Sequence, residues 1–214
     1  MLDEDRHWQA EGAFARRLRT RYGHPAKRAF DVAVALALLP VLVLVAVVLW
    51  CLNPFCNHGP VFYRQERMGL GCRPFAILKF RTMDSRGAGA RGAYAPVEAA
   101  RITRLGVLLR RARLDELPQI VNVLRGEMSM IGPRPDTYAN ALVYLREVPG
   151  YRARHLVLPG ISGLAQTECG YAESAGDIAR KVAADLRYLD RASLGFDLWI
   201  VWRTFVVICA GRGV

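Results

Sequence analysis

The sequence predicts an α+β chain, mostly helical, with an N-terminal membrane segment, a small β-hairpin and amphipathic helices lying at a bilayer surface. Three observations carry this reading. Residues 32–52 are 21 consecutive uncharged, largely aliphatic residues, with Pro40 near their middle. Two segments rich in β-branched and aromatic residues flank Gly69-Leu70-Gly71. From residue 101 onward, apolar residues recur largely at helical spacing between turn signals.

At 214 residues the chain is long enough for one domain with a real core. Thirty Lys and Arg against nineteen Asp and Glu give a formal charge of +11, which points to anionic partners: phosphorylated substrates, lipid head groups or nucleic acid. The five cysteines form no CxxC pair and the four histidines are scattered, so neither a zinc site nor a disulfide framework is expected. The polar, arginine-rich first 25 residues do not read as a cleavable signal peptide. Residues 1–28 form a basic segment, in which Phe14–Leu18 reads either as a short interfacial helix or as part of a solvated tail.

Residues 29–53 are the expected membrane helix. At about 1.5 Å per residue the uncharged run reaches roughly 30 Å, close to a hydrocarbon core. Pro40 removes a helix hydrogen bond and favours a kink or break. Seven basic residues from Arg6 to Arg28 precede the run, and Arg64, Arg67, Arg73, Lys79 and Arg81 follow it, so both flanks carry the cytoplasmic signature. A helix that breaks at Pro40 and returns on the same side reconciles these observations, and a kinked span is the alternative.

Residues 54–214 form the expected cytoplasmic domain. VFYRQER and FAILKFRTM read as the two strands of the hairpin, with the glycines in its turn. Residues 84–96, rich in Gly and Ala, read as a loop: a lid or an ordinary surface loop. RITRLGVLLRRAR is helical, and LDELPQIVNVLRGE resumes the pattern after a break at Asp115-Glu116. Ser174 and Asp177 resemble a capping box opening a helix to about Arg191. The last stretch, with Trp199 and Trp202, suits an interfacial helix or a buried C-terminal one.

The densest chemical signal is RRARLDELPQIVNVLRGEMSMIGPRPD, residues 110–136. Arginines bind phosphate oxygens bidentately. Of two adjacent carboxylates, one can attack phosphorus while the other holds a hard cation. An aspartate with an ordinary pKa of about 3.9 is already ionised at neutral pH. Taken alone, the pair reads more readily as a helix cap than as chemistry: Asp115 as the capping side chain and Glu116 favouring the helix dipole.

Read together, the Lys27-Arg28-x-Phe30-Asp31 entry to the membrane helix, the KFRTM strand, LDELPQ-x5-RGEMSMIGPRP and PGISGLAQ resemble the bacterial sugar transferase family. These are the monotopic polyprenol-phosphate phosphoglycosyltransferases, and the resemblance runs from about Lys27 to the C-terminus. It implies transfer of a sugar-1-phosphate from a UDP-sugar to a polyprenol phosphate (undecaprenyl phosphate), with release of UMP, as the first membrane step of bacterial glycan assembly. It also implies that Asp115 is the nucleophile of a covalent aspartyl-phosphosugar intermediate, and that Glu116 helps bind Mg²⁺ or orient phosphates. Lys79, Arg110 and Arg134 match basic positions that contact substrate phosphates, and Asp185 matches an acidic position grouped with them near the active site. Pro40 matches the helix-breaking proline of a re-entrant membrane helix. The implied location is the bacterial inner membrane, with the catalytic domain on its cytoplasmic face against anionic head groups.

Two departures stand out. Leu39 precedes Pro40 where family members commonly have Ser, and TECGYAES follows GLAQ where many have a segment ending in Gly-Arg, which leaves Tyr171 as the substitute candidate. Competing readings are a transferase that releases UDP and a basic membrane-anchored binding module. No specific nucleic-acid signature and no GxxxxGK[ST] loop occurs. The sugar, the glycan pathway and a homodimer stay open.

Overall fold

The computed structural model describes residues 25–56, 59–84, 92–95, 98–168 and 174–209. The N-terminal tail, most of the Gly/Ala loop and Tyr171 lie outside the described residues.

Helix α1 (Pro25–Cys56) takes in the whole apolar run and extends beyond it at both ends. It passes through Pro40 without interruption, so the expected break is not a gap in the helix. The proline ring removes one hydrogen bond, but its fixed φ is a helical value. One face of α1 is buried at Ala35, Leu42 and Leu49, while Leu36, Val43, Leu44 and Trp50 are exposed.

The hairpin forms as expected. Strands β1 (Phe62–Met68) and β2 (Pro74–Phe80) pair antiparallel, from Phe62 opposite Phe80 to Met68 opposite Pro74. Their turn is a short 3-10 segment in which Gly71 has φ 64°, a value glycine adopts freely. The register puts Lys79 opposite Tyr63, on the same face as Arg67.

Helix α2 (Arg104–Arg111) is opened by Thr103, whose side chain accepts from the Gly106 amide at 3.0 Å. A 3-10 turn, Leu114–Glu116, precedes helix α3 (Gln119–Leu124). Strand β3 (Ser129–Ile131) pairs in parallel with β4 (Gly160–Ser162), a small second sheet that strand periodicity had not indicated. Between them lie helix α4 (Tyr138–Glu147) and a 3-10 turn at Tyr151–Leu156. Short helix α5 (Leu164–Glu168) is followed by α6 (Ala175–Arg191), which opens with the expected Ser174–Asp177 capping box, and by α7 (Leu194–Cys209). Helix α7 buries Ile200 and Asp197 and exposes Leu198, Trp199, Trp202 and Phe205, so it is core-facing on one side and apolar on its outer side.

One core cluster joins Ala35, Leu42 and Leu49 of α1 to Ile77, Phe80, Leu109 and Ile120. Polar contacts reinforce this union. Lys27 pairs with Asp31 at 3.3 Å and with Asp197 of α7 at 2.8 Å. Asp31 accepts from the Met130 amide at 3.1 Å, and Arg28 donates to the Val123 and Leu124 carbonyls at the end of α3. The Lys-Arg-x-Phe-Asp segment thus fixes the start of the apolar helix to three elements of the body. Of the Gly/Ala loop, residues 92–95 are held against α4: Tyr144 donates to the Ala93 carbonyl and Tyr94 to Glu147 at 2.6 Å.

Candidate active site

Asp115 and Glu116 occupy the 3-10 turn between α2 and α3. Helix α3 begins only at Gln119 with Pro118 before it, and no side chain caps it, so Asp115 is not a helix cap. The residue before the turn, Arg113, has φ 56°, and this left-handed step swings the chain so that both carboxylates face inward. Both are largely buried.

Three predicted basic residues, Lys79, Arg110 and Arg134, lie around this pair, and Arg113 joins them. Lys79 reaches in from β2, its Nζ 2.9 Å from Glu116 Oε1. Arg134, from the loop after β3, grips both Glu116 oxygens: Nη1 is 3.0 Å from Oε2 and Nη2 bonds Oε1. Arg113 Nη1 lies 3.7 Å from Oε2. Arg110, at the end of α2, is oriented by donating Nε to Thr82 Oγ1 at 3.0 Å.

The two carboxylates therefore live in different electrostatic settings. Burial alone would raise the Glu116 pKa, yet the Arg134 and Lys79 charges hold it well below the usual carboxylate range. Asp115 is pushed upward by burial and by the neighbouring Glu116 charge, against the pull of Lys79, Arg110 and Arg134. Among the described residues no cation comes within 4.0 Å of Asp115 and no hydrogen bond reaches its carboxylate. Burial, partly offset by Glu116, lowers the Lys79 pKa to about 8.

Asp185 is fully buried on α6, 2.7 Å from Arg154. Arg154 also bonds Asp136 and donates to the Arg134 carbonyl at 2.7 Å. Asp136 in turn accepts from Lys181 at 2.5 Å and Tyr151 at 2.9 Å. This layer braces the loop that carries Arg134. Sequence reasoning missed Arg154, Lys181 and Asp136 as members of the site, and it missed Arg67, which donates to the Pro135 carbonyl at 3.0 Å. Only Arg67 had a legible signal, since two-residue alternation in the hairpin places it on the Lys79 face.

Among the described residues no cluster of three or more Asp, Glu, His or Cys could hold a metal by itself. The dyad still fits Mg²⁺, which is commonly held by one or two carboxylates plus substrate phosphates. Among the described residues Glu116 Oε2 accepts a hydrogen bond only from Arg134, with Arg113 3.7 Å away.

Comparison with known proteins identifies the family of the chain. The family model described as bacterial sugar transferase matches residues 22–211. A UDP-N-acetylgalactosamine-undecaprenyl-phosphate N-acetylgalactosaminephosphotransferase of Aeromonas hydrophila is 41% identical over 190 residues, covering 87% of this chain and 44% of that protein. A UDP-glucose:undecaprenyl-phosphate glucose-1-phosphate transferase of Caulobacter vibrioides is 45% identical over 185 residues, covering 83% and 67% respectively. The exopolysaccharide production protein PSS of Rhizobium leguminosarum bv. phaseoli is 37% identical over 198 residues, covering 87% and 97%. The chain thus spans less than half of the Aeromonas relative and nearly all of the Rhizobium one.

Proposed function

Because this chain belongs to the bacterial sugar transferase family, we propose that it moves a sugar-1-phosphate from a UDP-sugar to undecaprenyl phosphate through an Asp115-bound intermediate. The observation that carries the reading is the division within the dyad. Glu116 is clamped by Lys79 and Arg134, while Asp115 is unclaimed, buried and surrounded by cations at longer range. A held carboxylate suits orientation and a free one suits attack.

In the first step an Asp115 carboxylate oxygen attacks the phosphorus bearing the sugar. The Oδ–P bond forms, the bond from that phosphorus to the bridging oxygen breaks, and UMP leaves with the electron pair. In the second step the undecaprenyl phosphate oxygen attacks the same phosphorus and Asp115 departs as carboxylate. Lys79, Arg110 and Arg134 neutralise phosphate charge in both steps. Glu116, together with the donor phosphates, would hold Mg²⁺, and the cation would supply further charge neutralisation.

The same reading places α1 as an anchor that enters and leaves the cytoplasmic leaflet on one side. In support, both its ends are tied to one body. Lys27, Arg28 and Asp31 bond to the domain at the start, and only five residues, a reach of at most about 21 Å, separate Cys56 from Phe62 of β1. A straight helix of 32 residues would set its ends about 48 Å apart. The exposed apolar faces of α1 and α7 and the charge of +11 suit an anionic membrane surface.

The test is nucleotide release from a panel of UDP-sugars, including UDP-glucose and UDP-N-acetylgalactosamine, with undecaprenyl phosphate and Mg²⁺. UMP that requires the acceptor for turnover and is lost in Asp115→Asn is the expected result, with a phosphosugar adduct on the intact protein when the acceptor is withheld. Release of UDP would overturn the mechanism.

A further inference from the structure

A cavity of about 150 Å³ runs between the apolar helix and the dyad. Its wall is mostly apolar, from Leu38 of α1 to Val207 of α7, with the Ser162 and Thr204 hydroxyls on it bonded to each other at 2.7 Å, and Glu116 and Arg113 also line it. Next to Leu38, α1 exposes Leu36 and Val41. Next to Val207, α7 exposes Phe205 and Val206. The cavity therefore reaches from the two helices that expose apolar side chains to the Glu116 side of the dyad.

Arg113 is poorly explained by folding alone. Its backbone has φ 56°, a left-handed value that residues with side chains rarely adopt. Its guanidinium makes no hydrogen bond among the described residues, and its nearest carboxylate oxygen is 3.7 Å away. Arg134 and Arg110, by contrast, spend donors on Glu116 and Thr82. An arginine with unspent donors at the head of an apolar cavity matches a phosphate attached directly to a hydrocarbon chain. The nucleotide donor has no such segment.

We propose that this cavity receives the phosphate-proximal end of the polyprenyl chain and that Arg113 binds the acceptor phosphate; this rests on the transferase reading above. An apolar cavity of this size accommodates benzene, so it holds roughly one five-carbon unit. The rest of the chain stays in lipid.

Arg113→Gly is the decisive variant, because glycine suits the left-handed backbone and the fold should not weaken. The KM for undecaprenyl phosphate and for farnesyl phosphate rises roughly tenfold or more, as expected for loss of a charged hydrogen bond. The donor KM stays within about twofold by the same reckoning. Leu38→Trp, which fills the cavity from α1, raises both acceptor KM values without altering the donor's. Farnesyl phosphate alone, with no donor, raises the thermal midpoint of the wild-type protein and not of Arg113→Gly. A rise confined to the donor KM would place the nucleotide-sugar in the cavity and overturn the proposal. Unchanged acceptor KM and an equal thermal shift in both proteins would also overturn it. Failure of the transferase reading itself would show separately, as absence of the phosphosugar adduct on wild-type protein.

Discussion

Arg154→Met removes the centre of the buried charge layer behind the active site. Methionine is long, flexible and apolar, so it fills most of the space and leaves the electrostatic loss exposed to measurement. Arg154 is almost fully buried, bonds Asp136, lies 2.7 Å from Asp185, donates to the Arg134 carbonyl and stacks 5.1 Å from the Tyr151 ring centre. Without it Asp136 keeps Lys181 and Tyr151, but Asp185 loses its paired cation. Breaking a buried pair by removing one partner costs about 3–5 kcal/mol. Because Asp136 stays satisfied, the low end applies, about 3 kcal/mol. For a chain of this size that lowers the thermal midpoint by about 6–12 °C.

The loss carries a pH signature. Burial already raises the Asp185 pKa, and removal of Arg154 raises it further. A carboxyl whose folded pKa lies above its unfolded value opposes folding once pH exceeds the unfolded pKa, and protonation relieves the penalty. The deficit against wild type is therefore smaller at about pH 5 than at about pH 8. Thermal unfolding of the full chain in detergent micelles, at both pH values, reads this directly. Arg154→Met combined with Asp185→Asn recovers part of the loss. A shift below about 3 °C, or no recovery in the double variant, would refute the claim that this layer holds the Arg134 loop by charge pairing.

Two further outcomes follow from the site. Lys79, held to about 8, loses its charge as pH rises through that value, so kcat/KM should fall along an alkaline limb near pH 8. Lys79→Arg, which keeps its charge, removes that limb even if it lowers the maximum rate, and an unmoved limb would exclude Lys79 as its source. Gly106 packs so closely on β2's exit that an added Cβ would lie 2.1 Å from the Thr82 carbonyl oxygen. Gly106→Ala therefore displaces Thr82 and the Arg110 side chain it orients, and activity measured as UMP release should fall roughly 10- to 100-fold.

The sequence by itself determined the long apolar helix, the hairpin, the two-part helix around the dyad and the capping box of α6. Each is written in near neighbours: an uninterrupted apolar run, two-residue alternation around a glycine turn, a 3.6-residue period, a Ser–Asp pair three residues apart. It also named the cluster of Asp115, Glu116, Lys79, Arg110 and Arg134 as chemistry. What the sequence left open was decided by contacts between distant segments. The unequal environments of Asp115 and Glu116 depend on Lys79, 37 residues from Glu116, and on Arg134, 18 residues away. The burial of Asp185 against Arg154 joins α6 to the Tyr151–Leu156 turn. The parallel β3–β4 pair was invisible because three-residue strands are too short to show a period. Propensity and pattern act over a few residues, whereas a carboxylate's charge state is set by whichever cations the fold brings within a few ångströms.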